Sequence, residues 1–326
     1  MSAPFILDFS SSSGSKVAGM HKWHSHLRIR SDITGFVPPT INPEDDELTG
    51  FVPPVFEEDG LALLTVTRNG QDLPGDAVGL YHARINAEEL ETLRAAVEGT
   101  QWAQLPRPSG GDFNLPHLRI AYEREGLLID RSFNAGNSEF IEAISPLWQR
   151  LDACLERAMK SAASTLQLSL TATPDEQDPL LLELELVLRA RGIGHIVLNE
   201  PLLPPGPGHA PRLRLRVGQQ LTDNPIARLA NQTELPLPAP PEHAAPTMVL
   251  RPNRRVRIKL PWRAPEPGRY VFDAVWEDYA GPVAPAHGQT PFMPLPRTGP
   301  SALGSGPYPV RGALFAQARF ELGPRD

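Results

Sequence analysis

Two stretches of alternating apolar and polar residues, separated by a short turn, constrain the fold of this chain more than any other feature. In residues 254–262 the apolar positions are Val256, Ile258 and Leu260, and the residues between them are cationic. Residues 269–276 repeat the alternation with aromatic side chains, and the turn at 265–268 reads Pro-Glu-Pro-Gly. Because successive side chains of a strand point to opposite faces, the pattern predicts two antiparallel strands, each with one buried and one solvated face.

The same alternation extends over the second half of the chain. Leucines alternate with polar residues in 166–170, 182–188 and 213–217, and turns rich in proline and glycine separate these runs. About eight short strands at regular spacing are typical of a sandwich of two antiparallel sheets. The sequence therefore predicts an all-β sandwich for residues 163–326.

The residues around the turn carry a resemblance. Residues 267–272 read Pro-Gly-Arg-Tyr-Val-Phe and resemble the start of the penultimate strand in immunoglobulin-like and fibronectin-like domains. The resemblance implies that Tyr270 is the corner tyrosine, whose hydroxyl bonds back to the upstream backbone. Phe272 stands where antibody domains have their second cysteine, so the disulfide between the sheets is absent. Such domains mostly bind other molecules or act as spacers.

Residues 61–162 predict a small α+β domain made of two hairpins and two helices. Asn69-Gly70 is a strong hairpin signal. Asn86 is a good N-cap, followed by glutamates in the first helical turn. The second helix is predicted from 137 to about 160, with Pro146 kinking or splitting it. An antiparallel sheet with both helices on one face is the expected packing.

Residues 1–60 predict an extended, partly disordered N-terminal arm. Thr-Gly-Phe-Val-Pro-Pro occurs at 34–39 and again at 49–54, and the acidic run 44–47 lies between the copies. Phe-Val-Pro-Pro favours extended backbone. The four residues expected to anchor the arm on a partner are Phe36, Val37, Phe51 and Val52.

Composition narrows the classes of function. A length of 326 residues suggests two domains. A net charge of −7 argues against a dedicated nucleic-acid binder. Cys154 is the single cysteine, so an internal disulfide is impossible and a reducing compartment is favoured. The sequence contains neither a secretory signal nor an apolar run long enough to span a membrane, so the expected location is the cytoplasm.

Three sets of residues are candidate sites for chemistry. His21, His24 and His26 are clustered metal-type ligands, but their spacing fits no zinc motif, and a solvated or packing segment is favoured. Cys154 lies on the apolar side of the second helix and is expected in the core. Asp273, Glu277 and Asp278 are expected to be solvated carboxylates rather than a calcium site. No catalytic constellation and no cofactor are expected.

Two rows of cationic residues are the one surface feature that suggests a way of binding a partner. The rows alternate with apolar residues on two predicted strands and comprise Arg212, Arg214, Arg216, Arg255, Arg257 and Lys259. If these strands are neighbours, the rows form one basic sheet face. Cross-strand pairing with Glu183 and Glu185 is the favoured explanation. The alternative is that this face receives an acidic partner, either another protein or the acidic arm of the same chain.

The sequence thus favours a non-enzymatic protein-binding module, such as an immunity protein, an adaptor or an assembly factor. A metal-dependent hydrolase that uses the N-terminal histidines is a second hypothesis. A structural subunit of a larger assembly is a third.

Overall fold

The protein is mostly β, and its computed structural model describes sixteen segments of the chain. These are residues 6–12, 24–30, 36–37, 40–41, 51–52, 55–56, 62–70, 75–105, 117–124, 127–134, 138–178, 180–206, 209–222, 229–240, 242–282 and 307–323.

The first half contains both strands and helices. Its elements are β1 (Ile6–Ser12), β2 (His24–Arg30), β3 (Phe36–Val37), β4 (Thr40–Ile41), β5 (Phe51–Val52), β6 (Val55–Phe56), β7 (Ala62–Arg68), β8 (Ala77–Ile85), α1 (Ala87–Gly99), a 3₁₀ turn at Trp102–Gln104, β9 (His117–Arg124), β10 (Leu127–Asn134), α2 (Ser138–Ala143) and α3 (Ser145–Met159).

The second half consists of strands in its described part. They are β11 (Ala162–Pro174), β12 (Leu181–Gly192), β13 (Ile196–Asn199), β14 (Leu213–Gln219), β15 (Ala230–Leu235), β16 (Thr247–Leu250), β17 (Arg255–Arg263), β18 (Gly268–Asp278), β19 (Tyr308–Pro309) and β20 (Gly312–Leu322). None of the helices in the described segments is both long and apolar enough to cross a membrane.

One nine-stranded sheet joins the two halves, in the order β10-β9-β1-β2-β7-β8-β11-β12-β17. The link is the antiparallel pairing of β8 with β11. Residues 1–60 were expected to form an extended arm, but β1 and β2 lie in the interior of this sheet. β1 pairs with β2 on one edge and β9 on the other, and its residues Leu7 and Phe9 are buried. An apolar residue at every second position of a paired strand explains this placement.

The helices cover one face of the first half of the sheet. Leu90, Leu93 and Val97 of α1 pack in one core with Leu7 and Tyr81. Asn86 caps α1 in a capping box with Glu89, as its sequence predicted. The predicted second helix is divided at Ile144, and Pro146 lies in the first turn of α3, where its missing N–H breaks no helical bond.

In the second half of the chain, a second sheet packs against the other face of the nine-stranded sheet. This sheet has the order β15-β14-β18-β20. Its residues Leu215, Phe272 and Trp276 share one core with Leu166 of β11 and Val78 of β8. On β8, Val78 therefore faces this second core, whereas Tyr81 faces the helices. The nine-stranded sheet is thus buried on opposite faces at its two ends.

The turn before β18 has the hydrogen bond that the resemblance implied. The Tyr270 hydroxyl donates to the Glu266 carbonyl oxygen at 2.8 Å. Trp262 of β17 meets the Tyr270 and Phe272 rings edge to face, with centroids 4.9 and 5.0 Å away. Such aromatic pairs stabilise a core beyond the area that they bury, so aromatic packing links β17 of the large sheet to β18 of the second sheet.

Gly79 makes the junction between β8 and β11 possible. Its φ is +129°, and a Cβ at this position would lie 2.3 Å from the Ser164 carbonyl oxygen. The register between the two strands shifts between Ala162 and Ser164, which marks a β-bulge. Only glycine fits both this backbone conformation and this close approach.

We expect Gly79→Ala to lower the free energy of unfolding by about 2–4 kcal/mol, because β11 must move away from β8. Urea denaturation followed by circular dichroism measures the change. Gly99→Ala is the matched control. No atom lies within 4 Å of its added methyl, so it is expected to be neutral or to stabilise α1 by up to about 1 kcal/mol. Equal stability of the two variants would contradict the role of Gly79.

His82 is a buried titratable group near the same junction. Its Nε2 has no hydrogen-bond partner among the described residues, and burial lowers the pKa of the imidazole from 6.5 to about 4. The folded protein therefore holds this histidine neutral in a pH range where the unfolded chain binds a proton.

The contribution of neutral His82 to stability should be complete above pH 6.5 and should be lost as the pH falls towards 4. Between pH 7.5 and 4.5 we expect wild type to lose about 2 kcal/mol more than His82→Gln, which cannot titrate. Urea denaturation at the two pH values provides the comparison. Equal losses in the two proteins would show that His82 is not the group responsible.

Candidate partner-binding surface

The two cationic rows of the sequence lie on different sheets. Arg214 and Arg216 are on β14 of the second sheet, and Arg212 immediately precedes this strand. The other row is on β17, at the edge of the nine-stranded sheet. β14 pairs with β15 and β18, and β17 pairs with β12. One continuous basic face was expected only if these two strands were neighbours. They lie in different sheets, so the two rows do not form one face.

The β14 row is neutralised by carboxylates. The Arg212 Nε lies 3.2 Å from Asp278 Oδ2, Arg214 pairs with Glu277, and Arg216 lies 4.0 Å from Glu234. Only 2% of the Asp278 side chain is exposed. Asp278 also accepts hydrogen bonds from Asn199 Nδ2 at 2.8 Å and from the Gly281 N–H at 3.0 Å.

These contacts account for the acidic residues that the sequence placed near a strand end. Asp278 and Glu277 are paired with arginines, and Asp273 accepts a hydrogen bond from the Gln317 side chain at 2.8 Å. In the described segments no group of three histidine, cysteine or acidic side chains could hold a metal ion. The three carboxylates therefore do not converge on a common point.

Part of the β17 row is also paired across strands. Lys259 Nζ lies 2.6 Å from Glu183, and Arg257 Nε lies 3.5 Å from Glu185. The bond from Glu183 raises the pKa of Lys259. Cross-strand pairing with these two glutamates was the favoured hypothesis from the sequence. The structure shows such pairing for Arg257 and Lys259.

The other end of the β12–β17 pair has a different charge balance. Five exposed arginines, which we call the arginine cluster, meet there: Arg189, Arg191, Arg251, Arg254 and Arg255. Arg189 and Arg255 are directly opposite each other in the ladder. Arg191 donates to the Gln167 side chain at 3.2 Å and Arg189 to Asn253 at 3.5 Å. Within the segments that the structure describes, no carboxylate forms an ion pair with these five residues.

The arginine cluster stores electrostatic repulsion. Like charges directly opposite in an antiparallel pair destabilise it by a few tenths of a kcal/mol up to about 1 kcal/mol. Amide oxygens accept hydrogen bonds from a guanidinium but do not cancel its charge. In a protein of net charge −7, this end of the sheet thus remains positive and accessible.

Sequence reasoning identified only Arg255 of this cluster as a site residue. The missed signal is the way both strands end: β12 finishes with Arg-Ala-Arg at 189–191, and arginines occupy 251, 254 and 255 around the start of β17. In an antiparallel pair these two ends meet. Recognising the cluster required knowing that β12 and β17 are partners, which no local pattern states.

The repeated Phe-Val residues lie on short paired strands. Phe36 is opposite Phe56, and Val37 is opposite Val55. The second copy pairs with other residues: Phe51 is opposite Ile41, and Val52 is opposite Thr40. The two copies therefore lie in two different strand pairs. Phe36 and Val37 do not pair with Phe51 and Val52.

Two of the three candidate histidines, His24 and His26, lie on β2. His21 lies outside the described residues, and His24 begins β2. His26 Nε2 is 2.8 Å from Asp8 Oδ1, and Arg28 binds both oxygens of the same carboxylate at 2.6 and 2.9 Å. Burial would raise the pKa of Asp8, but the bonds from His26 and Arg28 outweigh burial and lower it to about 2. The ring of His26 is thus part of a hydrogen-bond network across β1 and β2.

Cys154 and a surface groove of the second half offer no reactive group. Cys154 is buried in the helix-covered core, and burial raises the pKa of its thiol, which opposes formation of the nucleophilic thiolate. A groove of about 400 Å³ lies beside β14 and β15, and proline and leucine form most of its lining. Its two charged residues, Arg214 and Glu234, lie within 4.0 Å of the opposite charges of Glu277 and Arg216.

Comparisons of the chain with protein-family models, with curated proteins and with solved structures find no match.

Replacing Asp278 by alanine should lower the free energy of unfolding by about 3–5 kcal/mol, because the largely buried Arg212 loses its counter-charge. Glu183→Ala removes an exposed partner and should cost less than about 1 kcal/mol. Thermal and urea denaturation of the two variants test the contrast. Similar costs would show that the Asp278 network does not hold this end of the sandwich.

Proposed function

We propose that the protein is a non-enzymatic protein-binding module whose arginine cluster receives an acidic segment of a protein partner. The observation that carries this proposal is the arginine cluster itself. Five exposed guanidinium groups share one sheet end, and no carboxylate in the described segments pairs with any of them. Nearby cations on the same face, by contrast, each have an acidic neighbour.

The chemistry of arginine favours carboxylate ligands at this site. A guanidinium presents a planar set of N–H donors that binds a carboxylate through two parallel hydrogen bonds. Arg189 and Arg255 stand on adjacent strands, whose spacing of about 5 Å suits neighbouring acidic side chains of an extended peptide. Binding would also relieve the repulsion between the two arginines, so affinity should fall as salt screens the charges.

The architecture supports a binding role for the second half. Seven of its strands, in chain order, are β11, β12, β14, β15, β17, β18 and β20. The first, second and fifth share the large sheet, and the other four form the second sheet, with β18 between β14 and β20. A penultimate strand between the third and the last is the immunoglobulin pattern. We infer an immunoglobulin-like sandwich for residues 163–326, preceded by an α+β domain.

The predicted classes of immunity protein, adaptor and assembly factor all remain within this proposal. A cytoplasmic location is part of it, because the single cysteine of the chain lies in the core and is not available for a disulfide.

The double variant Arg189→Glu, Arg255→Glu tests the proposal. A fluorescein-labelled oligo-glutamate peptide serves as the probe, and fluorescence anisotropy measures its affinity at low and high salt. We expect the wild type to bind the peptide at low salt and the variant to bind it at least about tenfold more weakly, a loss equivalent to about 1.4 kcal/mol.

Lys259→Glu, Arg263→Glu is the matched control. It makes the same change in net charge on β17, but both cations already have acidic partners, Glu183 and Asp178. We expect its affinity for the peptide to stay close to that of the wild type. An equal loss in both variants would reduce the effect to net charge. Tighter binding of an RNA oligonucleotide than of the peptide at the same salt would reject a protein partner.

A further inference from the structure

β17 is the last strand of the nine-stranded sheet, so one of its two edges has no strand beside it in the described segments. Its other edge pairs with β12, and the bonds at the two ends of this pair show which backbone groups the pair uses. The Ala190 N–H donates to the Arg254 carbonyl oxygen at 2.9 Å, and the Ala264 N–H donates to the Leu180 carbonyl oxygen at 2.8 Å. Since bonded and non-bonded positions alternate along an antiparallel pair, the even-numbered residues of β17 bond to β12.

The odd-numbered residues of β17 therefore turn their backbone groups to the open edge. Arg255, Arg257 and Lys259 are three successive positions of this kind, and Pro261 interrupts the run because it has no N–H. The side chains of all four are exposed, and they share one face of the sheet, since alternate residues of a strand point the same way. A strand added to this edge would thus meet three N–H donors, each on a residue with a cationic side chain.

The residues between these cations offer apolar contact along the same edge. Val256, Leu260 and Trp262 pack against the core between the two sheets, yet each is only half-buried. The core is therefore incompletely covered along β17. An added strand with apolar side chains at alternate positions would extend this core while its other side chains face the cations.

Charge determines the kind of strand that can add here. Natural sheets carry charged residues and prolines on open edges, which prevents pairing with neutral or identical strands. The cations of β17 repel a second β17 in this way, but they attract carboxylates. The attraction is strongest at Arg255, because this residue faces Arg189 across the ladder, whereas the two other cations lie near glutamates of β12.

The sheet also indicates the direction of an added strand. Every pairing between neighbouring strands of the nine-stranded sheet is antiparallel. A strand that continues this arrangement ends beside Arg255, where β17 begins. Its C-terminal residues therefore meet the arginine cluster.

We propose that the open edge of β17 binds an extended segment of a partner protein as an additional antiparallel strand. The segment has alternating polar and apolar residues, and the polar residues at its C-terminal end are acidic. The inference rests on the proposed function and specifies how the acidic segment is held. Main-chain hydrogen bonds to Arg257 and Lys259 supply affinity, and the carboxylates at Arg255 and Arg189 supply specificity.

Backbone methylation of a peptide tests this mode of binding while every charge is kept. The probe is Thr-Val-Thr-Val-Glu-Val-Glu, labelled with fluorescein at its N-terminus, and fluorescence anisotropy with the full chain at low salt measures its affinity. When its last residue lies opposite Arg255, its third and fifth residues face Lys259 and Arg257. We expect N-methylation of these two residues to weaken binding at least about tenfold, because it removes two donors and blocks close approach of the strands.

N-methylation of the fourth and sixth residues is the matched control. Their N–H groups point away from β17, so affinity should stay within about twofold of that of the unmodified peptide. The reversed peptide Glu-Val-Glu-Val-Thr-Val-Thr has the same composition and charge, but an antiparallel placement brings its glutamates to the far end of β17. It should bind severalfold more weakly. Equal effects of the two methylation patterns, or equal affinity of the reversed peptide, would overturn the inference.

The two proposals fail in distinguishable ways. If the arginine cluster binds the oligo-glutamate peptide but both methylation patterns have the same effect on the alternating peptide, strand addition is overturned and the proposed function stands. If neither the oligo-glutamate peptide nor the alternating peptide binds, both proposals are overturned.

Discussion

The antiparallel pairing of β8 with β11 is the contact on which the rest of this structure depends. It turns two groups of strands into one sheet, and it is possible because Gly79 lets the Ser164 carbonyl approach where any side chain would collide. β8 also serves both cores, since Val78 faces the second sheet and Tyr81 faces the helices. The two cores therefore share a strand of one continuous sheet.

Covering the sheet on opposite faces leaves an open face at each end, and charge dominates both. On the first half, Asp8 is neutralised by Arg28 and hydrogen-bonded to His26. On the second half, glutamates of β12 neutralise Arg257 and Lys259. Exposed pairs of this kind contribute little to stability, but they leave little net charge on the surface around them. The arginine cluster differs because no carboxylate in the described part of the chain balances its charge.

Local patterns in the sequence predicted local structure well. The alternation in 254–276, the N-cap at Asn86 and the effect of Pro146 depend on neighbouring residues, and each has a counterpart in the structure. Two outcomes depended on distant partners. Residues 1–60 were expected to form an extended arm, yet Ile6–Ser12 is an inner strand that pairs with β2 and β9. The arginine cluster likewise arises from the β12–β17 register, and pairing choices of this kind leave no local trace.

The position of β1 has a consequence for how the protein is made. β1 needs β2 on one edge and β9 on the other, and Ile6 is paired with Glu123 across most of the first half of the chain. During synthesis, one edge of β1 therefore stays unpaired until the ribosome has released β9. Bare edges attract foreign strands, and contacts between distant residues form slowly. A nascent chain of this protein consequently passes through a vulnerable interval in which a chaperone that shields strand edges would raise the yield of folded molecules.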